Sequence, residues 1–197
     1  MKKIMMIAAM MIAALGVNAQ NEVGQFSVMP KAGINISSLT KDDGAKSKVG
    51  FVGGLEFAYG AAKNFEVTAG VLYSMQGAKI KNTDAKINMD YINIPILAQY
   101  YIVKGLAVKA GVQVGFNTSA KVKGDGLDVT VKDFYALGGI DTDKKTVDFS
   151  IPVGLSYEFA HVVLDARYNI GLTKSFKNFD GDKNSVFQIT LGYKFPF

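Results

Sequence analysis

The chain has 197 residues, no cysteine, one histidine and a formal net charge of +5 at pH 7. Without cysteine there is neither a disulfide framework nor a cysteine-based zinc site. Without Lys2 and Lys3 of the N-terminal segment discussed next, 20 basic face 17 acidic residues, an excess of +3 that is too slight to argue for nucleic acid as a partner. The length suits a single domain.

Lys2 and Lys3 precede an unbroken apolar run from Ile4 to Leu15, followed by Gly16-Val17-Asn18-Ala19-Gln20. A charged start, a short apolar stretch and small residues at Val17 and Ala19 follow the order of a cleavable signal peptide. We therefore divide the chain into a signal peptide, residues 1–19, and one exported domain, residues 20–197. The apolar run is too short to span a bilayer as a helix, and no cysteine follows it to carry a lipid anchor. No later stretch has the roughly 18 consecutive apolar residues of a transmembrane helix. If the exported domain enters a membrane, it must do so as a closed barrel, because lipid offers the backbone no hydrogen-bond partner.

Eight segments of period-two alternation follow, near Phe26–Ser37, Val49–Tyr59, Phe65–Lys79, Asn88–Val103, Leu106–Thr118, Thr146–Phe159, Val162–Lys174 and Ser185–Phe197. Lys104-Gly105 and Ala160-His161 are two-residue hairpin signals, and Gly60–Asn64 is a short join. The other connections, Ser38–Lys48, Ile80–Ile87, Ser119–Lys145 and Ser175–Asn184, are longer. Within the longest, Val129–Leu137 suits either a short helical turn or an extra strand pair. Short turns at one end and long loops at the other are the pattern of outer-membrane barrels, with the turns in the periplasm. The expected fold is all-β: an eight-stranded antiparallel up-and-down transmembrane β-barrel.

The two faces of each strand differ in kind. Val162, Leu164, Ala166, Tyr168, Ile170 and Leu172 share one face, against Val163, Asp165, Arg167, Asn169 and Gly171. Leu106, Val108, Ala110, Val112, Val114 and Phe116 oppose Ala107, Lys109, Gly111, Gln113, Gly115 and Asn117 in the same way. The apolar faces carry no charge. The others hold small residues and a few charges of both signs, which suits the cramped inside of a small barrel. A soluble barrel of the lipocalin kind would need its polar face dense in Lys and Glu. Aromatics near strand ends form two belts, Phe26, Tyr59, Phe65, Tyr100, Phe159, Phe195 and Phe197 at one rim, Phe51, Tyr73, Phe116, Phe149 and Phe187 towards the other. Two belts are expected at two membrane interfaces, so the barrel's partners include outer-membrane lipids.

Alternation puts Lys31, Glu56, Glu66, Lys109, Glu158, Asp165, Arg167 and Lys194 inside, all towards the short turns and four of each sign. Charges buried in this way are tolerable only when paired. An interior charge belt is expected, with Arg167 central and Lys109–Glu158 as a neighbour-strand pair. Pro30, Pro95 and Pro152 lie inside strands, where each deletes a ladder hydrogen bond. A closed barrel has no edge to hide them, so bulges or local irregularity are expected there.

The last strand, SVFQITLGYKFPF, alternates to the final residue. Its Thr190-x-Gly192-x-x-Phe195-x-Phe197 order resembles the C-terminal assembly signal of bacterial outer-membrane β-barrels. The resemblance implies the barrel-assembly machinery as a partner during biogenesis. Ala32-Gly33-Ile34-Asn35-Ile36-Ser37, the stretch from Gly70 to Lys79 (GVLYSMQGAK), and Tyr91-Ile92-Asn93-Ile94-Pro95-Ile96-Leu97 look like strands of the "porin family" outer-membrane β-barrel proteins common in Bacteroidota. The Tyr-x-x-Ile-Pro-x-Leu strand is the most specific piece. This resemblance covers essentially the whole exported domain. It implies an eight-stranded barrel in the outer membrane of a Gram-negative bacterium, and it makes Pro95 a family feature. It implies little about activity, because the family label describes a fold.

Chemistry-bearing motifs are few. His161 stands in a tight turn on the expected periplasmic side, away from the outer leaflet where barrel enzymes acting on lipid hold a histidine. Asp180-Gly181-Asp182-Lys183-Asn184 begins like a calcium loop, but Ser185 stands where the glycine belongs and Leu191 where the glutamate belongs. No cofactor and no enzymatic activity are expected. Lys41, Lys46, Lys48, Lys79, Lys81, Lys86, Lys121, Lys123, Lys144, Lys145, Lys174, Lys177 and Lys183 fall in or beside the long loops. They suit either ordinary solvated loops or a rim facing lipopolysaccharide phosphates. The function expected is structural or surface interaction, with Ser119–Lys145 as the recognition element for an extracellular ligand. The alternative is a narrow porin for small solutes.

Overall fold

The computed structural model describes residues 21–40, 45–80, 86–124, 127–130, 147–174 and 183–197. Residues 1–19 and most of the long connections lie outside them. The strands are β1 (Phe26–Thr40), β2 (Ala45–Ala62), β3 (Phe65–Ile80), β4 (Lys86–Val103), β5 (Leu106–Gly124), β6 (Leu127–Thr130), β7 (Val147–Phe159), β8 (Val162–Lys174), β9 (Lys183–Tyr193) and β10 (Phe195–Pro196). Each long strand pairs antiparallel with the next, and β9 returns to pair with β1, so the sheet closes on itself. β10 continues the line of β9 along β1, and β6 is a flap on β5. Eight long strands make the wall. Of the ambiguous Val129–Leu137 stretch, Val129 and Thr130 pair with Val122 and Lys121, so an extra strand pair forms there. Its remainder lies outside the described residues.

Two-residue turns Lys63-Asn64, Lys104-Gly105 and Ala160-His161 gather at one end of the barrel with both ends of the described chain. The first is shorter than the expected join because β2 keeps pairing with β3 through Ala62, across a register shift after Gly60. Each turn uses one left-handed residue: Asn64 at φ 66°, Gly105 at φ 82° and Ala160 at φ 53°. Asparagine and glycine take that conformation readily, whereas Ala160 holds it against its own Cβ.

Side chains alternate across the wall as strand geometry requires. Phe57, Val71, Val112, Leu164 and Leu191 point out and are exposed, while Glu56, Leu72, Gln113, Asp165 and Thr190 point in and are buried. An apolar surface this continuous is stable against hydrocarbon and not against water. No helix among the described residues is long and apolar enough to cross a membrane.

The prolines interrupt ladders without shifting them. Around Pro95, β3 and β4 pair at Ala69–Ile96 and again at Leu72–Asn93 in the same register, with the two pairs between missing. Pro152 leaves the same gap between Ala110–Val153 and Gln113–Ser150, and Pro30 between Val28–Phe195 and Lys31–Gly192. The last gap separates β9 from β10. The expected bulges are therefore absent at all three, and the irregularity is a local loss of pairing. An antiparallel residue gives both its N–H and its C=O to a single neighbour, so a missing N–H opens one ladder and spares the other. Pro30, Pro95 and Pro152 accordingly keep Leu55, Gln113 and Asn169 as partners on their intact sides.

Closure itself depends on a close approach at Gly33. This residue pairs with Thr190 across the β1–β9 seam, and a Cβ there would land on the Ile189 carbonyl oxygen. Because the obstacle is backbone, Gly33→Ala should cost about 1–3 kcal/mol. The expected outcome is a smaller fraction of refolded protein migrating as the unheated, folded band on electrophoresis. An unchanged fraction would mean that the seam has room for a methyl group.

Candidate functional site

The inside of an eight-stranded barrel is just wide enough for side chains to fill. Long charged chains fit because their ladder partners are glycine. Lys31 lies across from Gly54 and Gly192, Glu56 from Gly70, and both Lys109 and Arg167 from Gly154. Large and small inward residues thus alternate around the wall.

All eight residues of the expected charge belt are buried in the lumen, where they form two layers. In the first, Arg167 donates from Nε to Asp165 Oδ1 at 2.7 Å and from Nη2 to Glu56 Oε2 at 3.1 Å. Lys109 Nζ lies 2.6 Å from Asp165 Oδ2 and 3.5 Å from Glu56 Oε1. Lys31 Nζ lies 3.2 Å from Glu56 Oε2 and 3.5 Å from Asp165 Oδ2. Three cations thus share two carboxylates. The second layer sits nearer the short turns. There Lys194 Nζ is 2.9 Å from Glu66 Oε1 and 3.0 Å from Glu158 Oε2, and the Tyr101 hydroxyl donates to Glu158 Oε2 at 2.6 Å. One cation faces two carboxylates, so the layers carry opposite excesses that cancel.

The expected Lys109–Glu158 pair does not form. Lys109 is level with Gly154, whereas Glu158 lies further along β7, level with Val163 beside the turn. That turn helps set the second layer. The backbone N–H groups of Tyr101, Glu158 and Lys194 donate to the carbonyls of Asn64, Gly105 and His161 at 2.8, 2.7 and 2.7 Å. Each short turn therefore fixes one member of the layer on the neighbouring strand. Asn21 closes the arrangement, its N–H donating to Glu66 Oε1 at 2.9 Å.

Sequence reasoning missed Tyr101 and Asn21. Tyr101 shares its face with Asn93, Leu97 and Gln99 on β4, all buried, and that parity was the available signal. Asn21 belongs to a segment crossing the barrel mouth, and such a contact has no periodicity to reveal it. Lys48, counted among the loop lysines, is buried in the wall, where Nζ donates to the Gln76 carbonyl at 2.8 Å. The side chains of the other loop lysines lie outside the described residues, and so does the Ser119–Lys145 loop beyond the strand residues it shares with β5 and β6.

The residues of the assembly-signal resemblance divide between two faces. Thr190 and Gly192 are lumen wall, across from Gly33 and Lys31. Phe195 and Phe197 join the outer aromatic rim, where the Phe26 ring lies 4.6 Å from Tyr59 and 6.4 Å from Phe197, and Tyr193 lies 4.7 Å from Phe195. His161 sits at its turn with its ring 5.7 Å from Tyr193.

A closed sheet, an apolar exterior and a charge-paired lumen agree with what comparison of the chain with known families finds. The model of the family described as outer membrane protein beta-barrel domain matches residues 18–177. The chain belongs to that family. Comparison with curated protein sequences gives no match. Among solved structures, Ail of Yersinia pestis is similar with a TM-score of 0.53 and 18% identity, over 88% of this chain and 100% of that one. Neisserial surface protein A is similar with a TM-score of 0.54 and 18% identity, over 86% and 97%. At such identity the likeness is one of fold.

Within this outer membrane β-barrel the lumen changes character along its length. Away from the short turns the buried side chains are mostly neutral and polar. Asn35 donates to Ser74 Oγ at 2.7 Å, and Ser37 donates to the Gly77 carbonyl at 2.6 Å. Among the described residues, no three His, Cys, Asp or Glu side chains gather as a metal site.

Arg167 is the member whose loss should be felt most, because its planar fork serves both carboxylates of its layer. Arg167→Ala should lower unfolding stability in urea by about 3–5 kcal/mol, the usual effect of stranding a buried charge. Arg167→Lys should recover only part of this, since one ammonium cannot reproduce the two-armed contact. A midpoint unchanged in Arg167→Ala would show that the two lysines suffice.

Proposed function

We propose that this barrel does not conduct and that its work lies in surface interaction or in the architecture of the outer membrane. The observation supporting this is the two-layer ion network, which joins β1, β2, β5 and β8 through the lumen and holds its charges against one another, away from solvent. In this reading the short turns face the periplasm, the signal peptide is removed after Ala19, and the protein is one of the Bacteroidota "porin family" in a Gram-negative envelope. The last strand, through Thr190, Gly192, Phe195 and Phe197, is read by the assembly machinery. The long connections, Ser119–Lys145 foremost, meet an extracellular ligand, and no catalysis is involved.

Planar-bilayer recording on refolded protein tests the central claim. Wild type should give no sustained ohmic conductance, whereas Arg167→Ala should show openings as the first layer loosens. A steady, water-filled pore in wild type would replace this reading with the narrow porin.

The loop lysines favour lipopolysaccharide phosphates as one contact. Replacing Lys79, Lys81, Lys121 and Lys123 with Gln should weaken binding to purified lipopolysaccharide and flatten its salt dependence. Identical binding isotherms at low and high salt in the two proteins would remove that contact.

A further inference from the structure

On the loop side of the first ion layer, Gln113 of β5, Ser150 of β7 and Asn169 of β8 line a cavity of about 10 Å³, with Tyr91, Gly115 and Asp148 among its other walls. That is room for roughly one water. Gln113 and Asn169 are only 5% and 3% exposed, yet Gln113 Oε1 and Asn169 Oδ1 have no hydrogen-bond partner. The Gln113 amide nitrogen donates to Ser150 Oγ at 3.2 Å, and the Asp148 carboxylate accepts from the Thr173 hydroxyl. These residues flank the interval that Pro152 opens in the wall. The β5–β7 ladder resumes at Gln113–Ser150, and Asn169 is the β8 partner of Pro152 itself.

We propose that this cavity binds one ordered water, which donates to Gln113 Oε1 and Asn169 Oδ1 and so bridges β5 to β8 across the stretch of β7 that Pro152 unpairs. A buried acceptor left without a donor is costly, and nearly all find one in the protein or in ordered water. Water has two protons, one for each carboxamide oxygen. Ser150 supplies a further bond, because the hydroxyl oxygen that accepts from Gln113 keeps its own proton to give. About three hydrogen bonds is the usual number for a buried water. Cavities that stay dry have apolar walls, whereas these walls are amides, hydroxyls and a carboxylate. A bridge through water is nearly as favourable as a direct hydrogen bond. The two strands that flank β7 are therefore tied together where proline leaves the wall weakest.

Rotating-frame NMR on the whole barrel, deuterated at carbon and refolded in detergent, tests this. Cross-peaks from water to the side-chain amide protons of Gln113 and Asn169 should carry the sign of direct contact, opposite to that of chemical exchange. A Cβ on Gly115 would enter the cavity wall beside Tyr91 and Asp148, meeting Asn93 Oδ1 at 2.8 Å, the end of a side chain that can yield. Gly115→Ala should therefore displace the water and abolish both peaks, while peaks relayed by the Ser150 or Tyr91 hydroxyl would persist. Wild type without direct-contact peaks, or peaks that survive Gly115→Ala, would overturn the site. Urea unfolding gives a second readout that serves if Gly115→Ala refolds poorly. Gln113→Leu and Asn169→Leu should each lower the midpoint, and the double variant should lose less than the two singles together, because both act on one water. Losses that simply add would show that the two oxygens share no water, and the bridge would fall.

Discussion

The contact of Arg167 with Asp165 and Glu56 is the interaction on which the interior depends. Four strands meet around that guanidinium through side chains alone, since Glu56 comes from β2 and both Asp165 and Arg167 from β8, with Lys31 and Lys109 closing in from β1 and β5. Desolvating five charges is costly, and only mutual neutralisation offsets it. Chain geometry makes this feasible because four of the five, Lys31, Glu56, Lys109 and Arg167, face a glycine across a ladder. Charge and glycine belong to the same device.

A second constraint comes from outside. In hydrocarbon every backbone group must find a partner in the protein, and the closed sheet supplies one almost everywhere. Proline is the exception that can be afforded three times, because each ring opens one ladder and leaves the opposite one whole. At the short-turn end the same requirement organises the lumen, since turn carbonyls take the N–H groups of Tyr101, Glu158 and Lys194. Satisfying the backbone at the barrel mouth thereby sets the second ion layer.

The two halves of the lumen consequently suit different roles. Towards the short turns it is tied together by charge and by turn hydrogen bonds. Towards the long connections it holds amides, hydroxyls and the Asp148 carboxylate around a small cavity.

How much of this was legible follows from particular residues. Strand count, the two faces, all three short connections and the inward position of every belt charge came from period-two alternation, which reports directly on which side of a sheet a residue lies. The assignment of outward and inward faces followed from composition, because glycine, serine and a few paired charges do not make a water-facing surface. Lys48 was misjudged because proximity to a loop in sequence says nothing of depth in the wall. Lys109 was given the wrong partner because parity fixes the face of a residue and not its height, and height depends on the register of each strand pair around the whole barrel. Asn21 on Glu66 and Tyr101 on Glu158 arise only once closure brings distant strands to one mouth. What the sequence determined by itself was therefore the local, periodic part: barrel, orientation of faces and the cast of buried charges. The tertiary structure decided which charge meets which, because that depends on shear and closure, and these are properties of eight strands taken together and of no single one.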